Sequence, residues 1–109
     1  MQFLLHAPSS VAAALLRHEH KTHPAPADDL FDAARKNQWD IITTEAAVAM
    51  APFDRGERFG RSIVYLQLTG TDDEMAQAVD RLFARYRRLT PGRLYTVTAS
   101  RVKIRQLPK

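Results

Sequence analysis

Short apolar runs alternate with longer amphipathic stretches along the whole chain. Runs rich in β-branched and aromatic residues predict buried strands, and apolar residues spaced three or four apart predict helices that pack on them. The predicted strands are 2–5, 40–44, 62–68, 94–98 and 101–107. The predicted helices are 11–19, 30–37, 45–51 and 72–89. Strands that alternate with helices in this order predict one α/β domain over residues 1–109, with a mostly parallel central sheet.

Capping residues support the starts of two of these helices. Asp28 or Asp29 can cap the helix at 30–37, because a carboxylate accepts hydrogen bonds from the free N–H groups of a first turn. Thr71 followed by Glu74 is a capping box, in which each side chain accepts a hydrogen bond from the other residue's backbone N–H. The last helix is therefore expected to begin directly after Thr71.

Prolines and small residues divide the remaining segments. Pro24 and Pro26 argue against a helix or a full strand at 22–27, which is expected to be an extended connection. A two-residue turn at Ala99 and Ser100 would join the last two strands as a C-terminal β-hairpin. Such a hairpin would add antiparallel strands to one edge of the parallel sheet.

Composition narrows the class of protein. The hydrophobic content of 45% and the charged content of 26% are ordinary for a soluble globular domain. The absence of cysteine excludes disulfides and thiolate metal sites. No apolar run is long enough to span a bilayer, so a cytoplasmic protein without membrane contact is expected. Residues 71–109 carry nine Lys and Arg against four Asp and Glu, which favours an acidic or polyanionic partner for that part of the chain.

Candidate chemistry lies where the predicted strands end. Ligands of open α/β sheets collect outside the carboxyl ends of the strands. His6 follows the first strand, Glu45 follows the strand at 40–44, and Asp28 and Asp29 begin a helix that can reach the same crevice. Converging carboxylates would hold Mg²⁺ or Mn²⁺, and such a metal could activate water to attack a phosphodiester. The alternative is that these acids only cap and stabilise their helices.

Three histidines form a second small cluster, at His18, His20 and His23. Imidazole is the commonest metal ligand, so a metal site is one interpretation. His18 and His20 do not face each other on a helix, which limits how they could share an ion. The other interpretation is a solvated, basic helix end.

Basic side chains are concentrated on the last helix and the last strand. Together they could follow the phosphates of an RNA, or they could dock an acidic segment of a protein partner. A solvated outer face is the simpler alternative. The candidate binding residues are Arg81, Arg85, Arg88, Arg101, Lys103 and Arg105.

Four segments, in order, carry a family resemblance. They are Phe-Leu-Leu at 3–5, Ile-Ile-Thr at 41–43, Ile-Val-Tyr-Leu-Gln-Leu at 63–68 and Val-Lys-Ile-Arg-Gln-Leu-Pro at 102–108. Together with the order of elements, they resemble the small bacterial PIN-like domains, relatives of VapC-type toxins that are often paired with a small DNA-binding antitoxin. The resemblance spans the whole chain. It implies a PIN-like three-layer α/β/α fold, a Mg²⁺- or Mn²⁺-dependent ribonuclease ancestry and frequent homodimers.

The resemblance assigns the catalytic and metal-binding roles to Glu45, Asp29 and His6. The family's first strand ends in Leu-Leu-Asp-x-Asn, and His6 and Pro8 occupy the Asp and Asn positions here. The tip of the family's third strand reads Thr-x-Asp-x-Asp-Phe, and this chain has Glu45 and Ala47 at the two Asp positions. His6 would therefore act as a third metal ligand or as a general base beside two carboxylates.

Two functions follow from the resemblance. One is a metal-dependent ribonuclease of a toxin–antitoxin pair, with an attenuated acidic site. The other is a catalytically inactive PIN-like module that binds RNA or a small antitoxin-like protein through its basic C-terminal part.

Overall fold

The computed structural model describes residues 1–108, which form one six-stranded sheet and four helices. The strands are β1 Gln2–His6, β2 Lys21–Pro24, β3 Asp40–Thr43, β4 Ile63–Leu66, β5 Arg93–Val97 and β6 Val102–Gln106. The helices are α1 Ser9–Arg17, α2 Leu30–Asn37, α3 Ala46–Asp54 and α4 Asp72–Arg85.

The sheet has the order β2-β1-β3-β4-β5-β6. Neighbouring strands from β2 to β5 are parallel, and β6 is antiparallel to β5. The predicted α/β class with a mostly parallel sheet is therefore confirmed. Residues 98–101 connect the final antiparallel pair, and the Thr98 N–H donates to the Arg101 carbonyl at 2.9 Å.

Two apolar clusters hold the helices against the sheet. Phe3 and Ile42 belong to a cluster with α1 and α4, whereas Leu4 and Ile41 belong to a cluster with α2 and α3. All four side chains are fully buried. Successive side chains of a strand point to opposite faces, so burial on both faces requires the continuous apolar runs that β1 and β3 have.

The expected connection at 22–27 is wrong in part, because β2 occupies Lys21–Pro24. It lies at the edge of the sheet and pairs with β1 alone. Pro24 is its last residue, where a missing N–H costs the least in a ladder. An edge strand tolerates the proline that would exclude a central one.

Two helix ends also differ from expectation. The sequence predicts that the third helix ends at residue 51, directly before Pro52, but α3 continues to Asp54, with the proline inside its last turns. The last helix ends at Arg85 rather than near Leu89, because Tyr86 leaves the helical region at φ −126° and ψ 102°. The Tyr86 ring contacts Tyr95 edge-to-face, with 5.6 Å between ring centroids. This tertiary contact accompanies the turn of the chain away from the helix axis.

The burial of α1 can be tested with two adjacent leucines. Leu15 is fully buried, and Leu16 is 70% exposed. We expect Leu15→Ala to lower the free energy of unfolding by about 2–5 kcal/mol, because it leaves a cavity in the core. Leu16→Ala should change it by less than about 0.5 kcal/mol. Urea denaturation measures both, and equal losses would contradict this packing of α1.

Candidate functional site

The carboxyl ends of β1 and β3 meet at one point. β2 pairs with one side of β1, and β3 pairs with its other side. The crevice between the ends of β1 and β3 is therefore the topological switch point of the sheet. His6 lies opposite Thr43, and His6 Nδ1 is 2.8 Å from Thr43 Oγ1. The same hydroxyl accepts the N–H of Glu45 at 3.0 Å. Thr43 is fully buried, so it fixes both the His6 ring and the start of α3.

Glu45 and Asp29 have different surroundings. Glu45 is the N-cap residue of α3, but its exposed side chain makes no capping hydrogen bond. Asp29 is the N-cap residue of α2 in the left-handed region, at φ 46°. Its Oδ1 accepts the Asp32 N–H at 3.1 Å, which is the capping role that the sequence offered as an alternative. Asp29 also lines a depression of about 220 Å³ with Val48 and Arg55.

The structure therefore brings His6 and the Glu45 backbone together and leaves Asp29 in another depression. Within residues 1–108, no three His, Asp or Glu side chains lie close enough to hold one metal ion. Mg²⁺ requires a near-octahedral shell of oxygen ligands, usually with one or two carboxylates. One imidazole and one exposed carboxylate do not fit that requirement.

The three histidines have different partners. His18 Nε2 is 2.8 Å from Asp80 Oδ1, and His23 stacks on Trp39 with 3.9 Å between ring centroids. His20 is only 8% exposed and contacts Phe83 at 4.5 Å between ring centroids. The interpretation of this segment as a solvated helix end is wrong for His20, because α1 ends at Arg17 and the chain turns inward to enter β2.

Three of the six predicted basic residues line a groove between α4 and the start of β6. Arg81, Arg85 and Arg101 line a space of about 470 Å³ together with Ala84 and Val102. We call this feature the arginine groove. Arg81 Nη2 donates to the Thr98 carbonyl at 2.6 Å, which ties α4 to the turn before β6.

The other three basic residues lie elsewhere. Strand register places Arg105 opposite Leu94, whose side chain belongs to the α2–α3 side of the sheet. The Arg105 guanidinium accordingly lies 3.8 Å from the Phe53 ring centroid. Lys103 is two residues away on the same face of β6. Arg88 lies beyond the end of α4 and lines a pocket with His18. The expected single basic face is therefore split in three.

A buried carboxylate at the amino-terminal end of β3 was not among the predicted site residues. Asp40 is 1% exposed, and its Oδ1 accepts both the N–H of Ser62 at 3.0 Å and its hydroxyl at 2.8 Å. Arg61 Nε lies 3.4 Å from the same oxygen. An acid that opens an otherwise apolar strand is the signal for such a site, since a buried charge requires partners.

Comparisons of the chain with protein-family models, with curated proteins and with solved structures found no match. The interpretation of the candidate site rests on its geometry. Among the helices within residues 1–108, none is both long and apolar enough to cross a membrane.

The role of Thr43 can be tested beside its neighbour. Thr43→Val removes the hydroxyl that contacts His6 and accepts the Glu45 N–H, and it leaves those groups with fewer partners. We expect a loss of about 1–3 kcal/mol in the free energy of unfolding. Thr44→Val changes the side chain next to it and should cost less than about 0.5 kcal/mol. Chemical denaturation compares the two, and a tolerant Thr43→Val would argue against this anchor.

Proposed function

We propose that this chain is a PIN-like binding module that engages single-stranded RNA through the arginine groove. The observation that carries the proposal is the convergence of Arg81, Arg85 and Arg101 on one space of about 470 Å³. Guanidinium groups present forked donors that match phosphate oxygens.

The charges of the groove are available to a ligand. All three arginines are exposed, and none of them belongs to an ion pair found within residues 1–108. Arg81 and Arg85 are four residues apart on α4, so they lie on one side of the helix. Ala84 and Val102 add apolar surface to the groove. Phosphates can bind the arginines while bases cover this apolar surface, which suits a flexible single strand.

The PIN-like part of the proposal has its own support. The parallel strands alternate with helices, and the tips of β1 and β3 are adjacent, as the sequence resemblance implies. On this proposal, the helix pairs α1–α4 and α2–α3 are the outer layers of a three-layer fold, and β5 with β6 is its C-terminal hairpin. The use of Asp29 Oδ1 as the cap of α2 supports a binding role over a catalytic one.

The groove makes a quantitative prediction about salt. We expect the double variant Arg81→Gln/Arg85→Gln to weaken binding to an oligouridylate. The slope of log K against the logarithm of the salt concentration should also become smaller in magnitude by about 1.4. Each phosphate contact to a single strand contributes about 0.7 to this slope. Fluorescence anisotropy across a salt series measures both quantities.

The matched control is Lys103→Gln/Arg105→Gln, which removes the same charge from the opposite face of β6. It should leave the affinity and the salt dependence close to those of the unchanged protein. Equal losses in the two double variants would indicate only a non-specific attraction by net charge. Binding of an acidic peptide but not of RNA would identify a protein partner and would overturn the RNA proposal.

A metal-dependent ribonuclease is the second candidate, and the position of His6 and Glu45 at the switch point favours it. The donors present do not fit a pre-formed metal site, so the geometry supplies no catalytic step. We therefore expect no RNA cleavage with Mg²⁺ or Mn²⁺ and no saturable heat on titration with Mn²⁺. Cleavage that is lost in Glu45→Ala and in Asp29→Ala but kept in Glu57→Ala would establish the nuclease instead.

A further inference from the structure

A second basic depression lies on the side of α4 that faces away from β6, near the amino-terminal ends of β1 and β2. It has a volume of about 460 Å³, which is in the range of about 300–1,000 Å³ usual for small-molecule sites. We call it the histidine pocket. It is lined by Met1, His18, Glu19, His20, Phe83, Arg87 and Arg88.

His20 forms the buried wall of this pocket. It is 8% exposed and is held between Phe3, at 5.7 Å, and Phe83, at 4.5 Å, measured between ring centroids. Its Nδ1 lies 3.1 Å from the α-amino group of Met1. An ammonium group only donates, so Nδ1 is the acceptor and a neutral His20 carries its proton on Nε2.

The exposed rim of the pocket carries an excess of positive charge. Arg87 and Arg88 are exposed and belong to none of the ion pairs that residues 1–108 form. Glu19 is the one carboxylate among the lining residues. Asp80 already has two basic partners, because Arg17 Nη2 lies 3.2 Å from its Oδ2 and His18 Nε2 lies 2.8 Å from its Oδ1.

We propose that the histidine pocket binds a phosphate group, held by Arg87 and Arg88 against the rings of His18 and His20. The two guanidinium groups supply charged donors, and the His20 imidazole can supply a further donor, since neutral His20 carries its proton on Nε2. The volume leaves room for an organic group on the phosphate. This site is separate from the arginine groove, and the proposal does not depend on RNA binding there.

Phosphate binding would be coupled to the protonation of His20. Burial, the α-amino group of Met1 and His18 lower the pKa of His20 below its ordinary value of 6.5, against smaller opposite effects of Asp40 and Glu19. A bound anion stabilises the imidazolium form, so it should raise the pKa of His20. The charged and titratable groups around His20 are the Met1 α-amino group, His18, Glu19, Asp40, Arg87 and Arg88.

The test follows the His20 ring resonances by NMR as inorganic phosphate or adenosine 5′-monophosphate is added at constant ionic strength. We expect a saturable shift of these resonances and an increase in the pKa of His20, neither of which sodium chloride produces. Arg87→Gln/Arg88→Gln should weaken the phosphate affinity at least about tenfold, as expected for lost charge-assisted hydrogen bonds. Tighter binding of the nucleotide than of inorganic phosphate would agree with the proposal and would indicate that the pocket also holds the organic group.

Arg81→Gln/Arg85→Gln is the matched control, since it removes the same charge from the other flank of α4. It should bind phosphate with unchanged affinity, while Arg87→Gln/Arg88→Gln keeps its contacts in the arginine groove. Two results for the His20 resonances would overturn the phosphate site: a shift that does not saturate, or a shift that chloride reproduces. An equal loss of phosphate affinity in both double variants would also overturn it. Failure of RNA binding would leave these readings unaffected, so the two proposals fail separately.

Discussion

The parallel pairing of β1 with β3 is the constraint on which the rest of the structure depends. Both strands are buried by helices on both faces, and their side chains belong alternately to the two apolar clusters. A shift of one residue in their register would exchange those clusters. The pairing also places His6 against Thr43 at one end and Phe3 opposite Asp40 at the other. The pairing of these two strands therefore fixes the position of the polar groups at both of their ends.

α4 separates two parts of the basic surface. Its buried face includes Val79 and Leu82, and its two flanks face β6 on one side and α1 on the other. Arg81 and Arg85 lie on the flank beside β6. The helix ends at Arg85, so Arg88 no longer follows the helical spacing and reaches the flank beside α1. One helix thereby supports two separate basic depressions.

Local patterns predicted the elements well, and long-range contacts decided what the patterns left open. The capping roles of Asp29 and Thr71 follow from interactions within three residues, and the structure has both. The end of α4 coincides with the contact of Tyr86 with Tyr95, which no spacing within the helix reveals. β2 is possible only because its partner β1 covers one side and its other side is an edge, where Pro24 is tolerated.

The difference between local and long-range contacts also separates the two functions considered for this chain. A metal site requires several carboxylates from distant segments to converge within a few ångströms, and the capping bond of Asp29 commits that carboxylate to its own helix. A phosphate-binding groove requires much less, because residues four apart on a helix lie together by geometry alone. Loss of one carboxylate from a metal site removes its function, whereas a basic groove retains affinity as long as some of its charges remain. This difference in requirements is the reason that we propose binding of a polyanion, rather than its cleavage, for this domain.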